Sequence, residues 1–177
     1  GRQVALPVSV TSRAEEILAK GGVKVRPTKM STAALMDAAC DPEVGFAADE
    51  GGGFIFSSFL PAFDGAATLI KTLDLLAHQE RKLSEVVAEL PDVHVAHEQI
   101  VTPWEQKGTV MRTLVEHSTD RELELLDGVK VLHEGGWALA LPDPEEPVTH
   151  VWAEGDNDVA ARQLAAEYAR RIRQMLQ

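Results

Sequence analysis

A regular exchange of β-branched runs with capped, helix-spaced stretches constrains this chain most, because strands joined by crossover helices produce that rhythm. Val4 to Val10 reads as a strand, interrupted early by Pro7. Thr11 or Ser12 caps a helix, with Glu15 three residues after Ser12 in capping-box position. The spacing predicts that helix over Arg13 to Lys20, with Gly21-Gly22 as its stop. Val23 to Arg26 follows as a second strand, and Ser31 opens a second helix ending near Cys40. Val44 to Ala48 and Phe54 to Ser57 flank a glycine turn and read as a hairpin at the edge of a mostly parallel sheet. Asp64-Gly65 then opens a long helix carrying Ala66, Leu69, Ile70, Leu73 and Leu76 at helical spacing. A short helix over Leu83 to Leu90 is closed by Pro91.

Beyond Leu90 the rhythm changes. Val93 to Val101 alternates as a strand does, with Val93, Val95 and Ala96 assigned to one face and His94, His97 and Glu98 to the other. Pro103 starts a helix striped by Val110, Met111, Leu114 and Val115. Tryptophan in Pro103-Trp104-Glu105 is expected to anchor that helix to the core, with the acid in its first turn. Strands are predicted at Glu122–Leu126, Trp137–Leu141 and Val148–Glu154, with a short piece at Val129–Leu132 between the turn signals Asp127-Gly128 and Glu134-Gly135-Gly136. A last helix, about Asp158 to Leu176, repeats Leu164, Tyr168, Ile172 and Met175. The 177 residues therefore divide into an α/β layer domain over 1–90 and a small α+β domain, antiparallel sheet with helices, over 92–177.

Composition removes several function classes. Twenty-eight acids against 17 bases leave a net charge of −11 with no basic stripe, so nucleic acid is excluded as a partner. No apolar run approaches the roughly 20 residues a membrane span needs, and no signal-peptide pattern opens the chain. Cys40 is the sole cysteine, rules out an internal disulfide, and ends a run of small residues, which predicts a buried small hydrophobe. A cytoplasmic protein is expected.

Catalytic signatures are missing. There is no G-x-S-x-G elbow and no Walker-type phosphate loop. His94 and His97 are three apart in a strand and diverge, and no second cysteine completes a zinc site, so no metal site and no catalytic residue are assigned. Two loops draw attention instead. Asp49-Glu50-Gly51-Gly52-Gly53 combines carboxylates with glycines that suit either a tight turn or a close backbone approach to a ligand. Asp143-Pro144-Glu145-Glu146-Pro147 reads as a rigid, solvated turn, with a divalent cation or a basic partner as the alternative occupant.

Taken in order, these residues resemble the α-D-phosphohexomutases, the phosphoglucomutases and phosphomannomutases. Thr28-Lys29-Met30-Ser31 is similar to their T-K-V-G turn, and Asp49 to Gly53 falls on their sugar-binding loop G-E-x-S-G-H. Asp64-Gly65 matches the D-G that follows that loop. Asp127-Gly128-Val129-Lys130 and Gly136-Trp137-Ala138-Leu139 resemble the D-G-[VI]-[KR] … G-W-x-L hairpin, and Leu141 to Pro147 falls on the phosphate-binding loop R-P-S-G-T-E-P. The resemblance implies the family's third domain followed by its fourth. Phe59 to Gly65 and Thr102 to Gly108 look like one branch, the mutase-like part of bacterial mannose-1-phosphate guanylyltransferase fusion proteins.

The departures carry as much meaning. The family's phosphoserine loop and its D-x-D-x-D-R metal loop do not occur in this sequence, so the resemblance implies a piece of a longer protein, no cofactor in this piece, and Mg²⁺ only if the parent is an active enzyme. Its expected partners are the parent's upstream domains and a weakly held or lost sugar phosphate. Asp49 replaces the sugar-binding Glu, Gly51 the Ser and Gly53 the His, while Glu50 and Gly52 complete that loop. In the phosphate loop Leu141 replaces the Arg, Asp143 the Ser, Pro144 the Gly and Glu145 the Thr, with Glu146 keeping the family's acid. Losing the guanidinium removes a bidentate phosphate clamp. A like-charge pair near 4 Å costs about 4 kcal/mol at an effective dielectric of about 20. Residual amide hydrogen bonds return about 1 kcal/mol each. The expectation is a mutase-derived domain without mutase activity, in a structural or regulatory role beside a nucleotidyltransferase. The alternative is the substrate-holding half of an active enzyme that interconverts hexose 6- and 1-phosphates.

Overall fold

The computed structural model describes residues 2–177. The chain separates into two compact units, Gly1–Asp92 and Val93–Gln177.

In the first unit, strands β1 (Gln3–Pro7), β2 (Lys24–Thr28) and β3 (Val44–Ala48) run parallel, and β4 (Phe54–Phe56) pairs antiparallel with β3. The order β2-β1-β3-β4 follows from two crossover helices, α1 (Ser12–Lys20) and α2 (Thr32–Ala39). Each helix starts on a side-chain cap: Thr11 accepts from the Arg13 amide and Ser31 from the Ala34 amide. Helix α3 (Gly65–Gln79) starts in the same way, on an Asp64 carboxylate that accepts from the Ala67 amide at 2.8 Å. The core gathers Ala5, Leu35, Ala38, Ala39, Val44, Ala47 and Ile55, with Met36 and Phe63 packed against it.

Three features of this unit differ from the sequence reading. Cys40 is exposed, because it is the C-cap of α2 and the chain turns outward there. Helix α4 (Leu83–Val87) is shorter than expected, and its cap residue Ala88 is followed by turn backbone before Pro91. In α3 most of the expected apolar stripe faces solvent: Leu69 is 62%, Ile70 65% and Leu73 57% exposed, and of the stripe's leucines and isoleucine only Leu76 is half-buried, beside Thr68 and Thr72.

The second unit is a five-stranded antiparallel sheet, β5 (Val95–Val101), β6 (Leu123–Glu124), β7 (Val129–His133), β8 (Gly136–Pro142) and β9 (Val148–Glu154), in the order β5-β9-β8-β7-β6. Helices α5 (Trp104–Glu116) and α6 (Asp158–Met175) supply Val110, Leu114, Ala165, Tyr168, Ala169 and Ile172 to its core. The expected helix stripes therefore face the core, with Val110, Leu114, Tyr168 and Ile172 buried and Met111, Val115, Leu164 and Met175 partly buried against it. Gly128 and Gly135 turn the hairpins with φ of +66° and +78°. At Gly128 a Cβ would sit 2.2 Å from the Ala140 carbonyl oxygen, so this turn admits no side chain.

Here too the register corrects the reading. His97 pairs with Trp152, and Gln99 with His150. Strand periodicity then puts Val95, His97, Gln99 and Val101 on one face and Ala96, Glu98 and Ile100 on the other. Ile100 joins the core and Ala96 packs against it. His97 thus shares the face of Val95 rather than opposing it. Trp104 is 51% exposed and does not anchor α5 in the core; it lies under the Lys107 ammonium instead, 3.6 Å from the ring centroid.

Candidate functional site

The first loop closes on itself. Asp49 Oδ1 accepts from the Gly53 amide at 2.7 Å, and the Asp49 amide donates to the Gly53 carbonyl at 3.1 Å. Gly52 sits between them at φ +84°, a conformation that favours glycine. A Cβ on Gly53 would lie 2.5 Å from the Phe63 ring, so Phe63 fills the space that a side chain at this position would need. Glu50 points the other way and accepts from the hydroxyl of buried Ser9 at 3.0 Å. Thr28, 6% exposed at the carboxyl end of β2, has a hydroxyl without a hydrogen-bond partner. The ends of three parallel strands therefore present Ser9, Thr28, Asp49 and Glu50, the edge at which α/β sheets take ligands.

The acidic loop of the second unit is organised by Asp143. Its Oδ1 accepts from the Glu145 and Glu146 amides, each at 2.7 Å, and its Oδ2 lies 3.1 Å from His150 Nε2. Those contacts, the two amide bonds first and then the histidine, hold the carboxyl below its ordinary range. From the other side Lys107, only 8% exposed, donates its ammonium to the carbonyls of Asp143 and Glu146. A buried ammonium bound to carbonyls and stacked on Trp104 is a structural staple. The expected repulsion of phosphate by Asp143 takes a more specific form here, since its carboxylate already occupies the amides an anion would use. Glu145 and Glu146 point into solvent.

Sequence reasoning missed the neighbours of this loop. His97 Nε2 lies 2.9 Å from His150 Nδ1, and both rings stack beside Trp152, with centroid separations of 4.7 and 5.0 Å. Burial, and then the His150 charge, lower the His97 pKa. His94 lies apart, paired with Asp158 at 2.7 Å. Only strand register joins His97 to His150, and no local spacing signals it. A separate cleft of about 270 Å³ is lined by His133, Glu134, Glu154, Asp156 and Glu167. Its carboxylates make it unsuitable for a phosphate. Among the described residues no group of three or more His, Cys, Asp or Glu is placed to hold a metal ion. No described helix is long and apolar enough to cross a membrane.

Comparison with known proteins bears on both units. Residues 1–94 match the family model described as phosphoglucomutase/phosphomannomutase, alpha/beta/alpha domain III. A probable phosphoglucosamine mutase from Methanopyrus kandleri is 28% identical over 99% of this chain and 39% of its own length. A phosphoglucomutase/phosphomannomutase family protein from Burkholderia thailandensis superposes with a TM-score of 0.83 at 19% identity, covering 99% of this chain and 38% of that one. An N-acetylphosphoglucosamine mutase from Aspergillus fumigatus, solved with GlcNAc-6P and magnesium, superposes at 0.69 with 14% identity over 99% of this chain and 39% of that one. The chain thus spans about two fifths of the length of such relatives. The described residues bring together no group of three or more His, Cys, Asp or Glu that could hold a magnesium ion.

Proposed function

The chain belongs to the phosphoglucomutase/phosphomannomutase family, and on that premise we propose that this segment keeps the family's scaffold without its grip on phosphate. One observation carries the reading: the Asp143 carboxylate takes the Glu145 and Glu146 amides of the loop that resembles the phosphate-binding loop. Leu141, where the resemblance expects an arginine, offers no counter-charge. A phosphate entering this loop would have to displace Asp143 and then sit beside it, with Glu145 and Glu146 close by. Such a segment serves structure or regulation within a longer protein, and its ties to a nucleotidyltransferase rest on the Phe59–Gly65 and Thr102–Gly108 stretches.

Calorimetric titration with inorganic phosphate and mannose 1-phosphate should give no binding heat, and the Glu145 and Glu146 amide resonances should not move. Micromolar affinity for either ligand sinks the reading.

A second reading is favoured by the first loop. Glu50 and Asp49 remain carboxylates able to accept from sugar hydroxyls, and the unpartnered hydroxyl of Thr28 lies buried at the same sheet edge. In that case the segment holds the sugar for a full-length mutase. A coupled hexose-phosphate mutase assay on the full-length protein tests this, and turnover would favour it over the first reading.

A further inference from the structure

The face of the second sheet that carries His97 and His150 holds a donor arrangement that no catalytic or phosphate-binding role uses. Asp143 accepts at Oδ2 from His150, so the proton of His150 is on Nε2 and its Nδ1 offers a bare lone pair. That lone pair receives His97 Nε2 at 2.9 Å, with the Gln99 amide 3.5 Å from the same atom. The carboxylate–imidazole pair is the arrangement that orients metal-ligating histidines and raises their basicity.

We propose that His97 Nε2 and His150 Nδ1 form a bidentate site for a divalent d-block cation, with Asp143 as the positioning residue behind His150. Imidazole nitrogens bind such ions at about 2.0–2.1 Å. The two nitrogens face each other head-on across a 2.9 Å hydrogen bond, with ring centroids 5.2 Å apart. Imidazole nitrogens suit Cu²⁺, Ni²⁺ and Zn²⁺ alike, and Cu²⁺ stands highest in the order of divalent affinities. Water fills the remaining positions, since His97 is exposed. On binding, the His97–His150 hydrogen bond breaks, the His97 proton moves from Nε2 to Nδ1 through solvent, and both rings turn out of their head-on contact so that their lone pairs converge on the ion. No net proton is released while both imidazoles are neutral. Strand pairing of β5 with β9 keeps the two histidine backbones as diagonal neighbours before the ion arrives, so only the side chains move.

Cu²⁺ titration of the full chain, followed by calorimetry and by quenching of Trp152 beside the site, tests the assignment. One equivalent should bind, with an electron paramagnetic resonance spectrum showing nitrogen ligation. His97→Ala and His150→Ala should each weaken binding at least tenfold, while His94→Ala and His133→Ala leave it unchanged. Asp143→Asn keeps the shape but removes the carboxylate charge, and should weaken binding severalfold. Far-UV circular dichroism identical to the parent establishes that each variant is folded. Equal Cu²⁺ affinity in the parent, His97→Ala and His150→Ala overturns the proposal. The result is independent of phosphate binding, which these experiments do not measure.

Discussion

At the scale of single residues, the two loops share one device. Asp49 and Asp143 each turn a carboxylate back on amides of their own loop, which satisfies those backbone donors locally. Substitutions that look like plain losses in the sequence are therefore compensated in the fold. Gly53 is the clearest case, because Phe63 occupies the volume beside it. Gly53→Ala or Gly53→His should destabilise the first unit by about 1–3 kcal/mol, from overpacking against that ring. A Phe63→Leu change should return part of the loss in the histidine variant. Urea unfolding decides the matter: a Gly53→His protein as stable as the parent would show that Phe63 moves aside freely. Nothing in the sequence around Gly53 foretells this contact, since Phe63 lies ten residues on and meets it only across the turn.

At the scale of elements, burial separates helices that sequence patterning treats alike. Both α2 and α3 carry apolar residues at helical spacing, and both begin on a capping side chain. Leu35 in α2 is 2% exposed and packs into the core of the first unit, whereas Leu73 in α3 is 57% exposed. Leu35→Ala should cost about 2–4 kcal/mol, the sum of lost transfer energy and the cavity left behind. Leu73→Ala should change stability by less than about 0.5 kcal/mol. Denaturation midpoints for the two variants provide the measurement, and equal losses would mean that α3 packs in solution against something on its apolar side. Periodicity reports that a helix has an apolar stripe. It does not report which way that stripe faces once a cap and a preceding strand have set the rotation of the helix.

At the scale of the whole molecule, the acid response follows from groups whose ionisation the fold shifts. Burial lowers the pKa of His97 and of His133; the His150 charge adds to it at the first, and Arg121 at the second. A histidine with a depressed folded pKa binds fewer protons than its unfolded counterpart, so its stabilising share is complete above pH 6.5 and is lost as pH falls through the folded value. Asp41, Asp143 and Asp158 are also lowered, chiefly by the Glu43 amide, the Glu145 amide and the His94 side chain respectively. Their share is complete above pH 3.8 and disappears below it. Relief of the net charge of −11 on acidification acts in the opposite sense. Unfolding midpoints should therefore fall in two steps, the first beginning just below pH 6.5. The His97→Gln/His133→Gln variant should lose the first step. A steeper decline in that variant would contradict the assignment.

Much of this architecture was legible in the residues themselves. Strand and helix identities follow from apolar spacing, and helix starts from Thr11, Ser31 and Asp64, because caps and periodicity are local properties of the chain. The order of motifs, from Thr28-Lys29 to Leu141–Pro147, carried the resemblance to a family whose third-domain model matches residues 1–94. Contacts between residues far apart in sequence were decided by tertiary structure alone. Lys107 reaching the carbonyls of Asp143 and Glu146, Ser9 meeting Glu50, and His97 set against His150 all depend on register and packing. A one-residue slip in β5 would send His97 to the opposite face, and no local preference reports which register wins. The acidic loop is thus placed by its neighbours in sequence, while its present chemistry is set by partners that only the folded chain brings to it.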